Sequence, residues 1–329
     1  AGLPAAIRRH LHWQVGRFLE DRDARGPAVL RHRLGPVRLV VPFAPGGTTD
    51  LLARIVAQRI GQALGQSVVV ENKAGAGGAI GAAEVAKAAP DGYVLLVSSA
   101  STMAANPAIN PATPYDPVKD FEHIGNLAAT PNVIAVHPSF PAANYQAFAA
   151  TVLMNPGKYS YGTAGTGSIG HLLAELYKRM AKAHVLHIPY RGSGPALNDV
   201  VAGQLPIVVD NLPSALPFIK DKRLVPIVVA APQRLASLPG VPTFAEVGLA
   251  PVNRMSFLGL SAPKGTPREV VDKLNAALKT ALSDAKVRER IEATGAIVVG
   301  STAQEYQMQV ADELSIYKQV VLAQKLKPD

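Results

Sequence analysis

From Val37 onward the chain keeps returning to one local pattern: a short aliphatic run, a turn of glycine and small hydroxyls, then apolar residues at helical spacing. The first instance is the clearest. Residues 37–43, apolar apart from Arg38, read as a buried-type strand, and residues 44–50 form a turn. Leu52, Ile55, Val56, Ile60, Ala63 and Leu64 then mark one face of a helix that Gly65 ends. A strand at 67–71, a glycine- and alanine-rich stretch opening a short helix, and a strand at 93–97 continue the series. It resumes after Phe121 with strands at 133–136, 159–162, 185–189, 207–210 and 224–231. Helices are expected over 171–182 and over 195–202, the second with Pro195 at its first position. Two capping-box patterns, Thr266-Pro267-Arg268-Glu269 and Thr302-Ala303-Gln304-Glu305, open the last helices. This alternation predicts an α/β fold of parallel sheets with helices on both faces.

At 329 residues the chain exceeds one domain of roughly 100–200 residues, so two lobes are expected. Crossings between them are placed at 126–132 and 253–260. Lobe 1 then comprises residues 36–128 plus 256–329, and lobe 2 residues 129–255. Two crossing strands make a hinge that can close around a ligand. Residues 1–35 read unlike the rest and are taken as an extension, tag or misassigned start outside the fold. They hold seven arginines against Glu20, Asp21 and Asp23, four of the net nine positive charges. The remainder is spread without a basic run, and aromatics are only 5% of residues, so the pattern argues against a nucleic-acid partner. Basic character instead speeds encounter with anionic solutes. There is no cysteine, which excludes disulfides and thiolate chemistry. No run approaches the ~18 apolar residues of a membrane span.

In such sheets ligands sit where strands end and helices begin. Three stretches occupy that position. In Pro45-Gly46-Gly47-Thr48-Thr49-Asp50, glycines admit close backbone approach, and the N–H groups of the following helix favour an anion. The plain alternative is a tight turn with Thr49 or Asp50 as N-cap. Residues 162–171 repeat the arrangement, with His171 either donating to a carboxylate or exposed. Within them Gly165-x-Gly167-x-x-Gly170 matches a dinucleotide fingerprint, but no carboxylate ends the next strand to hold a ribose. Ser168 lacks the Gly two residues before it that a nucleophile elbow requires. A dehydrogenase or serine hydrolase using this loop is therefore the alternative reading. In the third stretch, 190–195, Arg191 either pairs with a carboxylate or makes a structural ion pair. Asp210, at a strand end, holds an ammonium, orients a water or caps a helix. Walker A, His-Glu-x-x-His and EF-hand patterns are absent.

Val40-Val41-Pro42-Phe43-Ala44-Pro45-Gly46-Gly47 with Asp50 and Ala53-Arg54 resembles the opening signature of the Bug (Bordetella uptake) family, the periplasmic receptors of tripartite tricarboxylate transporters. Further matches follow in order: Val70-Glu71-Asn72-Lys73, Pro90-Asp91-Gly92-Tyr93, Pro189-Tyr190-Arg191-Gly192, Asp210-Asn211 and Ala262-Pro263-Lys264-Gly265-Thr266-Pro267. Together they run from residue 37 towards the C-terminus. The resemblance implies a type II periplasmic-binding fold, two α/β lobes joined by two crossing strands. It implies a receptor without catalysis, cofactor or metal that captures a small carboxylate, with a dicarboxylate or acidic amino acid favoured. It further implies a periplasmic monomer that does not itself span the membrane and hands its ligand to integral-membrane transporter subunits. By position it implicates Phe43, Gly46, Gly47, Thr48, Ser98, Ser99, Thr102, Thr163, Gly165, Thr166, Ser168, His171 and Asp210 in ligand binding. Two departures stand out: Phe257-Leu258-Gly259-Leu260 lacks the family's frequent tryptophan, and residues 1–35 do not resemble a family leader.

Overall fold

The computed structural model describes residues 35–327; the expected N-terminal extension lies outside the described residues, apart from Gly35. Two sheets carry the fold. The first has six strands in the order β11-β4-β10-β3-β1-β2. These are β1 (Val37–Val41), β2 (Val68–Asn72), β3 (Val94–Ser99), β4 (Phe121–Thr130), β10 (Ser256–Pro263) and β11 (Ile297–Val298). The second has five, in the order β7-β6-β8-β5-β9. These are β5 (Asn132–Val136), β6 (Ser160–Thr163), β7 (Leu186–Pro189), β8 (Ile207–Asn211) and β9 (Val225–Ala230).

The expectation of parallel sheets needs correction, because both are mixed. β10 runs antiparallel to β3 and to β4, and β5 runs antiparallel to β8 and to β9. The reason lies in connectivity. A parallel neighbour needs a helical crossover on the same sheet. β5 has none, because it follows β4 directly after Pro131, which lacks the N–H to continue a ladder. Each of these strands enters its sheet from the other lobe, so crossover handedness does not fix its direction.

Helices follow the sequence pattern with local revisions. Helix α1 (Thr48–Leu64) buries Leu52, Ile55, Val56 and Ile60, and Gly65 closes it in the left-handed region at φ 68°. Ala63 is exposed and Leu64 half-buried, so the buried stripe ends one turn early. The remaining helices used below are α2 (Ala79–Ala86), α3 (Asn106–Ile109), α4 (Tyr145–Met154), α5 (Ile169–Ala181), α6 (Ser193–Val201), α7 (Leu212–Lys220), α8 (Arg268–Ser283), α9 (Ala285–Glu292) and α10 (Ala303–Gln324). Helix α6 starts at Ser193, two residues before Pro195. Proline is tolerated there because first-turn N–H groups lack helical partners anyway. The capping box at Thr266 does not form: Pro267 takes the cap position, and the Thr266 hydroxyl turns back to donate to the Pro263 carbonyl at 2.7 Å. The second box is complete. Thr302 Oγ1 accepts from the Glu305 N–H at 3.2 Å, and Glu305 Oε2 accepts from the Thr302 N–H at 2.8 Å.

The two crossings lie side by side, with Ser256 paired to Thr130. Asn132 ties them together. Its Nδ2 donates to the Arg254 carbonyl at 2.9 Å, and its Oδ1 accepts from Asn211 Nδ2 at 2.6 Å and from Ser256 Oγ at 3.0 Å. One residue on the returning strand leaves no room for a side chain. A Cβ on Gly259 would meet the Gly125 carbonyl and the Tyr306 ring at 2.5 Å. Gly259→Ala should therefore destabilise the fold by about 1–3 kcal/mol through overpacking, read as a lower melting temperature with secondary structure retained. A wild-type melting curve would contradict this account of the crossing.

Candidate functional site

The loop after β1 is held from beneath by one carboxylate. Asp50 Oδ2 accepts the Gly46 N–H at 3.1 Å, and Oδ1 accepts from Arg54 Nε at 3.0 Å and Asn72 Nδ2 at 2.9 Å. Asn72 Nδ2 also donates to the Phe43 carbonyl at 3.0 Å. Burial alone would raise the pKa of Asp50, but the bonds from Arg54, Asn72 and Gly46 outweigh it and keep it below its ordinary 3.8. Asp50 is thus an anchor of the loop rather than its N-cap, which is Gly47. The consequence is at the surface of the turn. Within the described residues, nothing accepts a hydrogen bond from the N–H groups of Gly47, Thr48 or Thr49. They head a 17-residue helix whose dipole adds positive potential at that point.

Opposite them stands Asp210, at the end of β8 and 4% exposed. Its Oδ1 accepts the Ser193 hydroxyl, and its Oδ2 accepts the Ser214 hydroxyl at 2.5 Å. It neither caps a helix nor meets a cation among the described residues. Burial pushes its pKa up, against the bonds from Ser193, Ser214 and the Asn211 N–H. Between these two poles lies a narrow cavity. Its lining draws on the β1 loop, the β3 and β6 loops, Ser193, the end of β8, and Thr130, Ser256, Phe257 and Leu258 of the crossing strands. Lys, Arg and His are absent from that lining.

The two lobes touch around this cavity. Thr48 Oγ1 lies 2.9 Å from Ser214 Oγ and accepts the Ser214 N–H at 3.2 Å. The Ala44 N–H donates to the Arg191 carbonyl at 2.9 Å, and the Ile169 N–H donates to Ser101 Oγ at 3.0 Å. Glycine keeps the faces close: a Cβ on Gly77 would sit 2.3 Å from the Thr166 carbonyl. The arrangement is a closed clamp.

The residue types and folding pattern agree with what comparison with known proteins gives. A family model described as "Tripartite tricarboxylate transporter family receptor" matches residues 52–326. The chain belongs to this family. Protein BugT of Bordetella pertussis is 35% identical to the receptor over 287 residues, 87% of this chain and 88% of BugT. MatC from Rhodopseudomonas palustris, solved with bound malate, has a TM-score of 0.84 at 36% identity and covers 87% of this chain and 98% of its own. R. palustris Rpa4515, solved with adipate, has a TM-score of 0.85 at 33% identity, covering 89% and 98%. The fold is that of two-lobed periplasmic binding proteins, and the receptor binds a solute rather than transforming one.

Of the residues singled out from sequence, Phe43, Gly47, Thr48, Ser99 and Asp210 line the cavity together. Eight others do not, each for a visible reason. The Gly46 N–H is spent on Asp50. Ser98 points into the core of its lobe, sharing hydrogen bonds with Tyr306 Oη at 2.9 Å and Ser261 Oγ at 2.8 Å. Thr102 folds back on Ser99, its Oγ1 accepting the Ser99 N–H at 3.1 Å. In the β6 loop several donors are already used. Thr163 Oγ1 accepts the Gly165 N–H at 3.2 Å, and His171 Nδ1 accepts the Gly167 N–H at 3.1 Å. Ser168 Oγ accepts the His171 N–H at 3.3 Å as the helix cap, and its own N–H donates to Gly165. Thr166 faces Gly77 of the other lobe. His171 is wholly buried and stacks on His187 with ring centroids 4.2 Å apart, so it is neither exposed nor at the cavity. The Arg191 side chain is exposed and off the lining. The family assignment sets aside the dehydrogenase and hydrolase reading of this loop, and a buried capping serine fits that outcome.

Sequence reasoning missed Ser193 and the crossing-strand residues. Ser193 had one signal, its place after Tyr190-Arg191-Gly192 at a strand-to-helix loop. The crossing strands were located, but which of their faces met the cavity depended on register.

The raised pKa of Asp210 fixes a sign. A folded protein that holds this proton more tightly than the unfolded chain has the corresponding stability in full below the ordinary 3.8, and loses it as pH rises through the folded value. Asp210→Asn should therefore raise the melting temperature of the ligand-free receptor at pH 8, with the gain shrinking as pH falls towards 4. An equal or lower melting temperature at pH 8 would show that the serine bonds outweigh burial.

Proposed function

We propose that this receptor captures a small carboxylate, a dicarboxylate or an acidic amino acid, in the periplasm and presents it as a monomer to the membrane subunits of a tripartite tricarboxylate-type transporter. The observation that carries the reading is the pair of opposed poles: unspent N–H groups of Gly47, Thr48 and Thr49 on one side, Asp210 on the other, with no cationic side chain lining the space between. Oriented amides stabilise an anion without the cost of burying an unpaired Arg or Lys in the empty state. Malate and adipate in the two structural neighbours support the carboxylate class. No described helix is long and apolar enough to cross a membrane.

Within this reading Phe43, Gly47, Thr48, Ser99 and Asp210 contact the ligand, and the lobes formed by 36–128 with 256–329 and by 129–255 close on it. The end of β4 at Thr130 in one sheet and the start of β5 at Asn132 in the other support that boundary. The test is a thermal-shift screen of organic acids and amino acids on the wild type and Gly47→Val. Gly47 has an ordinary extended backbone, φ −85° and ψ 170°, so valine is not strained there. A Cβ at that position already approaches Ser193 Cβ at 3.3 Å, and branched methyls would reach further into the closure contact. The variant should keep its own cooperative melt and lose the ligand-induced shift. Wild-type shifts in the variant would refute the first-loop assignment.

A further inference from the structure

We infer that Ser193, oriented by Asp210, selects ligands that carry a hydrogen-bond donor on the carbon next to the bound carboxylate, that is, 2-hydroxy or 2-amino acids. The inference rests on the carboxylate-receptor reading and narrows it.

The argument follows the hydrogens. Ser193 donates its single hydroxyl hydrogen to Asp210 Oδ1, and the bonds from Ser193, Ser214 and the Asn211 N–H favour the ionised, accepting carboxylate against the burial that raises its pKa. Ser214 is committed in the same way to Oδ2 at 2.5 Å; its other acceptor, the Asn211 carbonyl at 3.1 Å, is neutral and more distant. Thr48 Oγ1 accepts the Ser214 N–H, so the remaining contact, at 2.9 Å, has the Thr48 hydroxyl donating to Ser214 Oγ. All three hydroxyl hydrogens therefore run towards Asp210. What Ser193 offers the cavity is lone pairs.

Ser193 is 7% exposed and lines the cavity beside the opposite pole. A Cβ on Gly47 would lie 3.6 Å from Ser193 Oγ. A carboxylate seated on the Gly47–Thr49 amides thus brings its adjacent carbon to Ser193. A hydroxyl or ammonium there donates to the waiting lone pairs. A methylene leaves a buried acceptor facing C–H, and sites built to bond a polar group reject analogues that lack it. An ammonium also places positive charge near Asp210, which a hydroxyl cannot.

The test measures affinities by titration calorimetry for two matched sets, L-malate and L-aspartate against succinate, and mandelate against phenylacetate. The proteins are wild type, Ser193→Ala, Ser193→Thr and Asp210→Asn. Wild type should prefer the donor-bearing member of at least one set by about tenfold or more. Ser193→Ala should reduce that ratio to within about threefold, and Ser193→Thr, which keeps the hydroxyl, should restore it. Asp210→Asn should weaken aspartate more than malate if the ammonium is the native donor, and both alike if it is the hydroxyl. Equal affinity within both sets in the wild type, or an unchanged ratio in Ser193→Ala, overturns the role of Ser193 and leaves the receptor reading standing. Absence of binding by every acid tested overturns both.

Discussion

Asp50 decides what the first loop can do. Gly46 sits at φ 90°, a conformation glycine tolerates, and its N–H would be the natural first donor to an anion above the turn. Asp50 takes that donor, and with Arg54 and Asn72 it fastens the loop to the β2 edge. The next N–H groups, at Gly47, Thr48 and Thr49, then have neither a helical partner nor a side-chain cap. An ordinary N-cap would have consumed one of them. The carboxylate that sequence reasoning considered as a cap works one step away from that role, and the difference leaves the amide row open.

The β6 loop shows the other outcome from nearly the same sequence grammar. It too joins a strand to a helix through glycines and small hydroxyls, yet Ser168 caps the helix, Thr163 takes the Gly165 N–H and His171 takes the Gly167 N–H. The Ile169 N–H goes to Ser101 of the opposite lobe, while among the described residues nothing accepts from the N–H groups of Ala164 and Gly170, which line the cavity. This loop spends its hydrogen bonds on rigidity and on closure. The cleft therefore draws open amides from both loops, and the lobe that carries β8 adds a buried carboxylate.

Much of this was legible before any coordinates. Strand positions came from aliphatic runs such as 39–41 and 207–209, because a strand buried on both faces leaves few alternatives. The helix end at Gly65 and the cap at Thr302 came from residues whose local geometry is restrictive. Strand direction was not legible, since β5 and β10 take theirs from crossing between lobes and their own residues do not encode it. Cavity lining was legible at Phe43, Gly47, Thr48, Ser99 and Asp210. It failed where it depended on which way a side chain turned: Ser98 looks like a cavity hydroxyl in sequence but belongs to a core network with Tyr306 and Ser261. Ser193 was passed over for the more conspicuous Arg191 beside it.

The absence of a cation beside Asp210 among the described residues ties these points together. A buried carboxylate with only serine and amide donors is an unfavourable thing to keep in an empty cleft, and burial shows in its raised pKa. The same group orders Ser193 and Ser214, and through Ser214 reaches Thr48 on the opposite lobe. One acidic side chain thereby sets the direction of the Ser193, Ser214 and Thr48 hydroxyls and connects that order to closure. Replacing it with a neutral residue would relieve the burial cost and scramble the orientation at once. Stability and selectivity therefore pull in opposite directions at this position, which is the pattern expected of a group retained for what it does when ligand is present.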